Sequence, residues 1–194
     1  MGKIKKTQDA IEDEYIIFIE LCEILDKYYC INEEKYLRRL GRYRNPLTND
    51  NINSLTSTKL LYKIPGAKYL YKKEGWVKGM KKETDPTDHL IGMKNIVHYL
   101  YLLYKVGKIN NCLDYYHSLK ALQILIVCPT KLNNDPRYKD DFVCNSTNYG
   151  IIIQWNVKLK MNGITELEHI KTGEMVSVDV IYTDWYNENR QYLL

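Results

Sequence analysis

A run of seven residues, Leu122-Gln123-Ile124-Leu125-Ile126-Val127-Cys128, carries apolar side chains at both odd and even positions. Side chains of a strand alternate between its two faces. The run therefore predicts a strand covered on both sides. A chain of 194 residues is long enough to bury a core around it.

Helical periods surround that strand. Ile11, Tyr15, Phe18, Cys22, Leu25 and Tyr29 recur at steps of four and three, which predicts an amphipathic helix over about 9–29. Asp9 followed by Glu12 resembles a capping box. The stripe fits packing on the protein's own core better than a coiled-coil seam, because it lasts only about three heptads. A short helix is expected from Asn32 as N-cap to Gly41, followed by a polar loop over 42–51. Asp85-Pro86 is expected to open a helix that carries Leu90, Met93, Val97, Leu100 and Tyr104 and ends at Gly107. It is apolar enough to be the central core helix. Another helix is expected over Cys112–Leu119.

The rest reads as strands and turns. Lys59–Ile64 and Ala67–Lys73 are expected as two strands joined at Pro65-Gly66. Ile151, Ile153, Trp155, Val157, Leu159 and Met161 alternate with more polar neighbours, which predicts a half-buried strand. Asn162-Gly163 is a hairpin signal. A bulged turn there sets Leu159 opposite Leu167, Lys160 opposite Glu166 and Lys158 opposite Glu168, so that both faces are consistent. Thr172-Gly173 makes the next turn, and Val176, Val178 and Val180 a third strand. The expected fold class is α+β, as a single domain over 1–194. In it a helical, basic N-terminal half packs on a C-terminal antiparallel β-meander.

Charge is distributed unevenly along this framework. Lys35 to Lys82 holds thirteen Lys and Arg residues against Asp50 and Glu74, about +11 in a chain of formal net charge +4. The remainder is about −7. Polyanions bind such a concentration through counterion release, and aromatic rings give bases a surface to stack on. The candidate binding residues are Arg38, Arg39, Arg42, Arg44, Lys63, Lys68, Tyr69, Tyr71, Lys72, Lys73, Trp76 and Lys78. In a hairpin, Tyr69 and Tyr71 project from one face while Lys68 and Lys72 project from the other, which separates rings from charge. A competing reading makes the segment an internal or protein-facing surface, opposite the acidic N-terminal helix.

Motifs for chemistry are scarce. There is no GxxxxGK, no GxGxxG and no GxSxG, and no cofactor is expected. His89, His98, His117 and His169 are scattered without zinc spacing, and His98 reads as a core histidine. Asp135, Asp140 and Asp141 precede a stretch with Lys158 and Lys160, an order faintly like a metal-dependent nuclease. Asn156 stands where such a core needs an acid two residues before its Lys. Five cysteines, an odd number without CxxC spacing, fit reduced thiols in an intracellular setting. No apolar run approaches the length that crosses a bilayer, and the first residues lack the apolar core of a signal peptide. Lys outnumbers Arg 22 to 6, the bias of AT-rich coding genomes such as those of large DNA viruses, phages and low-GC bacteria.

The sequence thus points to a non-enzymatic binding protein, viral or phage-borne, whose basic region takes an acidic partner such as nucleic acid. A structural or assembly protein of a particle, with a homo-oligomer, is the second expectation. A metal-dependent nuclease or hydrolase built on the acidic loop is the third.

Overall fold

A computed structural model describes residues 2–29, 58–69, 85–91, 93–133 and 159–193. The expected short helix after Asn32, the loop 42–51, most of the second strand at 67–73, the acidic loop and residues 151–158 lie outside the described residues. In chain order the described elements are helix α1 (Gly2–Tyr29), strand β1 (Thr58–Lys63), strand β2 (Thr87–His89), helix α2 (Met93–Lys105), helix α3 (Cys112–Leu122), strand β3 (Ile124–Val127), the single turn α4 (Thr130–Asn133), strands β4 (Glu166–His169) and β5 (Met175–Ser177), and helix α5 (Val178–Asn189). A 3-10 turn over Arg190–Tyr192 follows.

Among the described residues the five strands form one sheet in the order β2-β3-β1-β4-β5. β1 and β3 are parallel, with Thr58 beside Ile124, and the other neighbours are antiparallel. The fold is α+β, but the sheet is mixed and is no C-terminal meander. Strands from both halves of the chain interleave, and β1 lies between β3 and β4. β3 carries the double-sided burial that its sequence predicts: Ile124, Ile126 and Val127 are buried and Leu125 half-buried.

α2 forms the centre. Every residue from Ile96 to Leu103, His98 included, is buried, so it is the apolar-all-round helix of an interior. It ends at Gly107 (φ 72°), where Lys108 N–H bonds to Leu103 O and Gly107 N–H to Tyr104 O. That is a Schellman cap. Its start differs from expectation. Asp85-Pro86 leads into β2, whose three residues pair with β3, and the helix begins only at Met93. α1 lays Phe18, Cys22 and Leu25 of its stripe into the protein's own core. Asp9 and Glu12 lie within the helix, which starts at Gly2, so they do not cap it. Asp26 fastens its far end to α2, accepting from Tyr101 Oη at 2.6 Å and Lys105 Nζ at 2.8 Å. α3 forms where a helix is expected, and the Asn111 side chain caps it by accepting from Leu113 N–H and Asp114 N–H.

Two C-terminal expectations are overturned. Residues 159–161 are helical, and no hairpin forms at Asn162-Gly163. Ile164 N–H bonds to Leu159 O at 2.9 Å and Gly163 N–H to Lys160 O at 2.9 Å, a second Schellman cap. Gly163 takes φ 72°, the left-handed conformation that a helix cap and a tight hairpin both need. Leu159 and Leu167 are both fully buried, though not as a cross-strand pair. Lys160 meets Asp179 at 2.7 Å in place of Glu166. The predicted third strand stops at Ser177, and Val178 and Val180 belong to α5. The Ser177 hydroxyl accepts from Asp179 N–H and caps that helix, while Val178, Ile181 and Trp185 form its buried stripe. The turn at Thr172-Gly173 does join β4 to β5, with Leu167 opposite Val176.

Candidate functional site

β1 and β3 run parallel, so their C-terminal ends lie side by side at one end of the sheet. The chain leaves β1 through a type II turn: Ala67 N–H bonds to Ile64 O at 2.9 Å and Gly66 takes φ 83°. The turn occurs where Pro65-Gly66 predicts it, but residues 67–69 are not a strand, and β1 finds its partners in β3 and β4. Lys68 instead exchanges backbone bonds with Asp85. Lys68 N–H reaches Asp85 Oδ2 at 2.7 Å, and Asp85 N–H reaches Lys68 O at 2.8 Å. Asp85 Oδ1 also accepts from Thr130 N–H at 3.0 Å and from its hydroxyl at 2.8 Å. The Lys68 N–H first, and then Thr130, hold this carboxyl below its usual range. One side chain thus clasps the exit of β1, the entry to β2 and the start of α4.

Three of the twelve predicted binding residues sit near this end. Lys63 is half-buried on the face of β1 that also carries the exposed Leu61. Its ammonium faces Glu168 Oε2 at 2.8 Å on the neighbouring β4 and donates to Ala67 O at 3.1 Å. Lys63 and Glu168 are direct cross-strand partners, so sheet register brings them together. Lys68 is exposed and Tyr69 half-buried. Arg38, Arg39, Arg42, Arg44, Tyr71, Lys72, Lys73, Trp76 and Lys78 lie outside the described residues.

On the other face of β1, Tyr62 opens onto a second feature. A cavity of about 250 Å³ is lined by Tyr62, Lys120, Ala121, Ile181, Asp184, Trp185, Glu188 and Asn189. Trp185 is buried and its indole N–H donates to Ala121 O at 3.1 Å, which fixes the ring at the cavity wall. Tyr62 packs edge-on against His169 at 5.3 Å between centroids. Sequence reading missed this site. Its signal was present in Val178, Ile181, Tyr182 and Trp185, spaced as one face of a helix.

The remaining described candidates for chemistry form no catalytic cluster. Among the described residues no group of three or more His, Cys, Asp or Glu is placed to hold a metal ion. Asp135, Asp140, Asp141 and Lys158 lie outside the described residues. His117 stacks on Tyr192 at 4.9 Å, and His169 Nδ1 accepts from Thr172 N–H. Cys22, Cys112 and Cys128 are free thiols, and burial pushes Cys22 and Cys112 upward. A thiol held protonated is a poor nucleophile. No described helix is long and apolar enough to cross a membrane. Scans against protein-family models, curated proteins and solved structures each gave no match.

Proposed function

We propose that this chain is a non-enzymatic binding protein whose basic segment, Lys35–Lys82, receives an acidic partner, nucleic acid in the first instance. The observation that carries the reading is the charge concentration itself, thirteen basic residues against two acids in a chain of net charge +4. Exposed Lys68, at the end of the sheet, is available to such a partner. Lys63 favours a structural role, because its ammonium is already matched by Glu168 at 2.8 Å. Of these two cations, Lys63 holds the sheet and Lys68 faces outward. The setting we propose is intracellular, where the free thiols persist reduced, and the coding bias fits a viral or phage genome.

The test is binding to labelled single- and double-stranded nucleic acid over a salt series. Affinity that falls linearly in log–log form, with a slope that counts phosphate contacts, is the expected result. Reversing Arg38, Arg39, Arg42 and Arg44 together lowers that slope and weakens binding, while Lys63→Ala leaves the slope unchanged. Affinity and slope that survive the fourfold reversal sink the proposal.

A further inference from the structure

We propose that the outward face of α1 is a docking surface for a second copy of this chain, which it receives through that copy's basic segment. The helix turns Phe18, Leu21, Cys22 and Leu25 into the core. On the opposite side Asp9, Asp13, Ile16, Ile17, Glu20 and Glu23 recur at helical spacing, and all six are exposed. Ile16 is 57% exposed and Ile17 38%. Two adjacent isoleucines in water, bordered by carboxylates, have the layout of an interface, apolar at the centre and polar at the rim. Asp9, Asp13, Glu20 and Glu23 have no ion-pair partner among the described residues. Asp9 and Asp13 stand four residues apart and Glu20 and Glu23 three, so like charges repel one another along this face.

Charge complementarity selects the occupant. Residues 7–26 hold seven acids and no Lys, Arg or His, and the first cation after them is Lys27. Lys35–Lys82 of the same sequence carries about +11. Every copy therefore brings both halves of an attractive pair. Neutralisation within one chain does not reach the four outward carboxylates, which make no ion pair among the described residues. Their charge is left for another molecule, and a second copy supplies the opposite sign. Two copies that lay α1 against each other's basic segment about a twofold axis make the contact twice. The core face of α1 stays where it is, so docking requires no unfolding. Opposite charge adds speed and selectivity to the encounter, and burial of Ile16 and Ile17 adds the apolar contribution. This docking rests on the outward-facing basic segment of the proposed function, and it makes nucleic acid and a second copy competitors for that segment.

Sedimentation equilibrium of the full chain, over a range of protein and salt concentrations, tests it. Self-association at low salt that added salt dissociates is expected, because salt screens exposed charge. The triple variant D13K/E20K/E23K raises the dissociation constant at least about tenfold. The double variant I16S/I17S keeps every carboxylate and also weakens association, so it reports on the same face if the charge reversal disturbs folding. All five positions are exposed, and circular dichroism checks that each variant is folded. A wild-type chain that stays monomeric at low salt overturns the proposal. So does association that the folded variants retain unchanged. The nucleic-acid titration separates this reading from the proposed function. A chain that binds nucleic acid and stays monomeric loses the α1 docking alone. A chain that associates through α1 and binds no nucleic acid keeps the docking, and the proposed function falls.

Discussion

Glu14 is 7% exposed in the helix α1, and its Oε2 has no hydrogen-bond partner. The Tyr115 hydroxyl on α3, near enough for Glu14 to perturb it, is also buried without one. Burial, with Asp13 beside it, raises the Glu14 carboxyl above its ordinary value of 4.5. The folded chain then holds this proton more tightly than the unfolded chain does. Ionisation at neutral pH works against the fold, and the cost fades as pH falls through the raised pKa. Glu14→Leu removes an unpartnered buried polar group and is expected to stabilise the protein by about 1–3 kcal/mol at pH 7. The gain over wild type shrinks as pH falls from the raised value toward 4.5, and is smallest below it, where the carboxyl is protonated in both states. Urea melts of both proteins at the two pH values check this, and an equal gain at each would mean that folding does not raise the pKa of the carboxyl. The residue type of Glu14 reads as exposed, although its spacing does not. It lies four residues before Phe18, on the core face, and only the packed structure shows how far that face extends.

Elements were legible where one local rule acted alone. The apolar run Leu122–Cys128, the Gly107 stop of α2 and the turn at Pro65-Gly66 all follow from a single signal. Gly163 shows how that fails, because a left-handed glycine serves a hairpin and a helix cap equally well. What decides between them is the conformation of residues 159–161, and alternation of apolar residues there favoured the wrong answer. At α5, the β-branched Val176, Val178 and Val180 matched a strand, while the buried stripe that ends in Trp185 set the helix. The cavity was lost with that helix, since Asp184 and Glu188 share a face only at helical spacing. A Cβ at Gly163 meets nothing within 4 Å, so its cost is backbone strain alone. Gly163→Ala should lower stability by about 1 kcal/mol, and Gly163→Asn by less. Urea midpoints of the two variants measure the order. Equal stability of Ala and Gly would remove the left-handed cap from the account.

The whole molecule is organised about α2, whose buried residues join a core cluster that extends from Phe18 on α1 to Leu193 near the C-terminus. Leu100 is fully buried at its middle. Leu100→Ala leaves a cavity and should cost about 2–5 kcal/mol, read as a loss of protection in every slowly exchanging amide. Loss confined to α2 would show that this helix opens apart from the sheet. Against α2 lies a sheet whose middle strand, β1, pairs with β3 and β4, segments that follow it at long distance along the chain. On a ribosome adding roughly 5–20 residues per second, some 5–20 s separate the synthesis of Lys63 from that of Glu166. Throughout that interval β1 waits with its β4-facing edge unfilled. This protein's sheet is therefore completed late, and a holding factor that shields Thr58–Lys63 on the nascent chain would raise the yield of folded molecules.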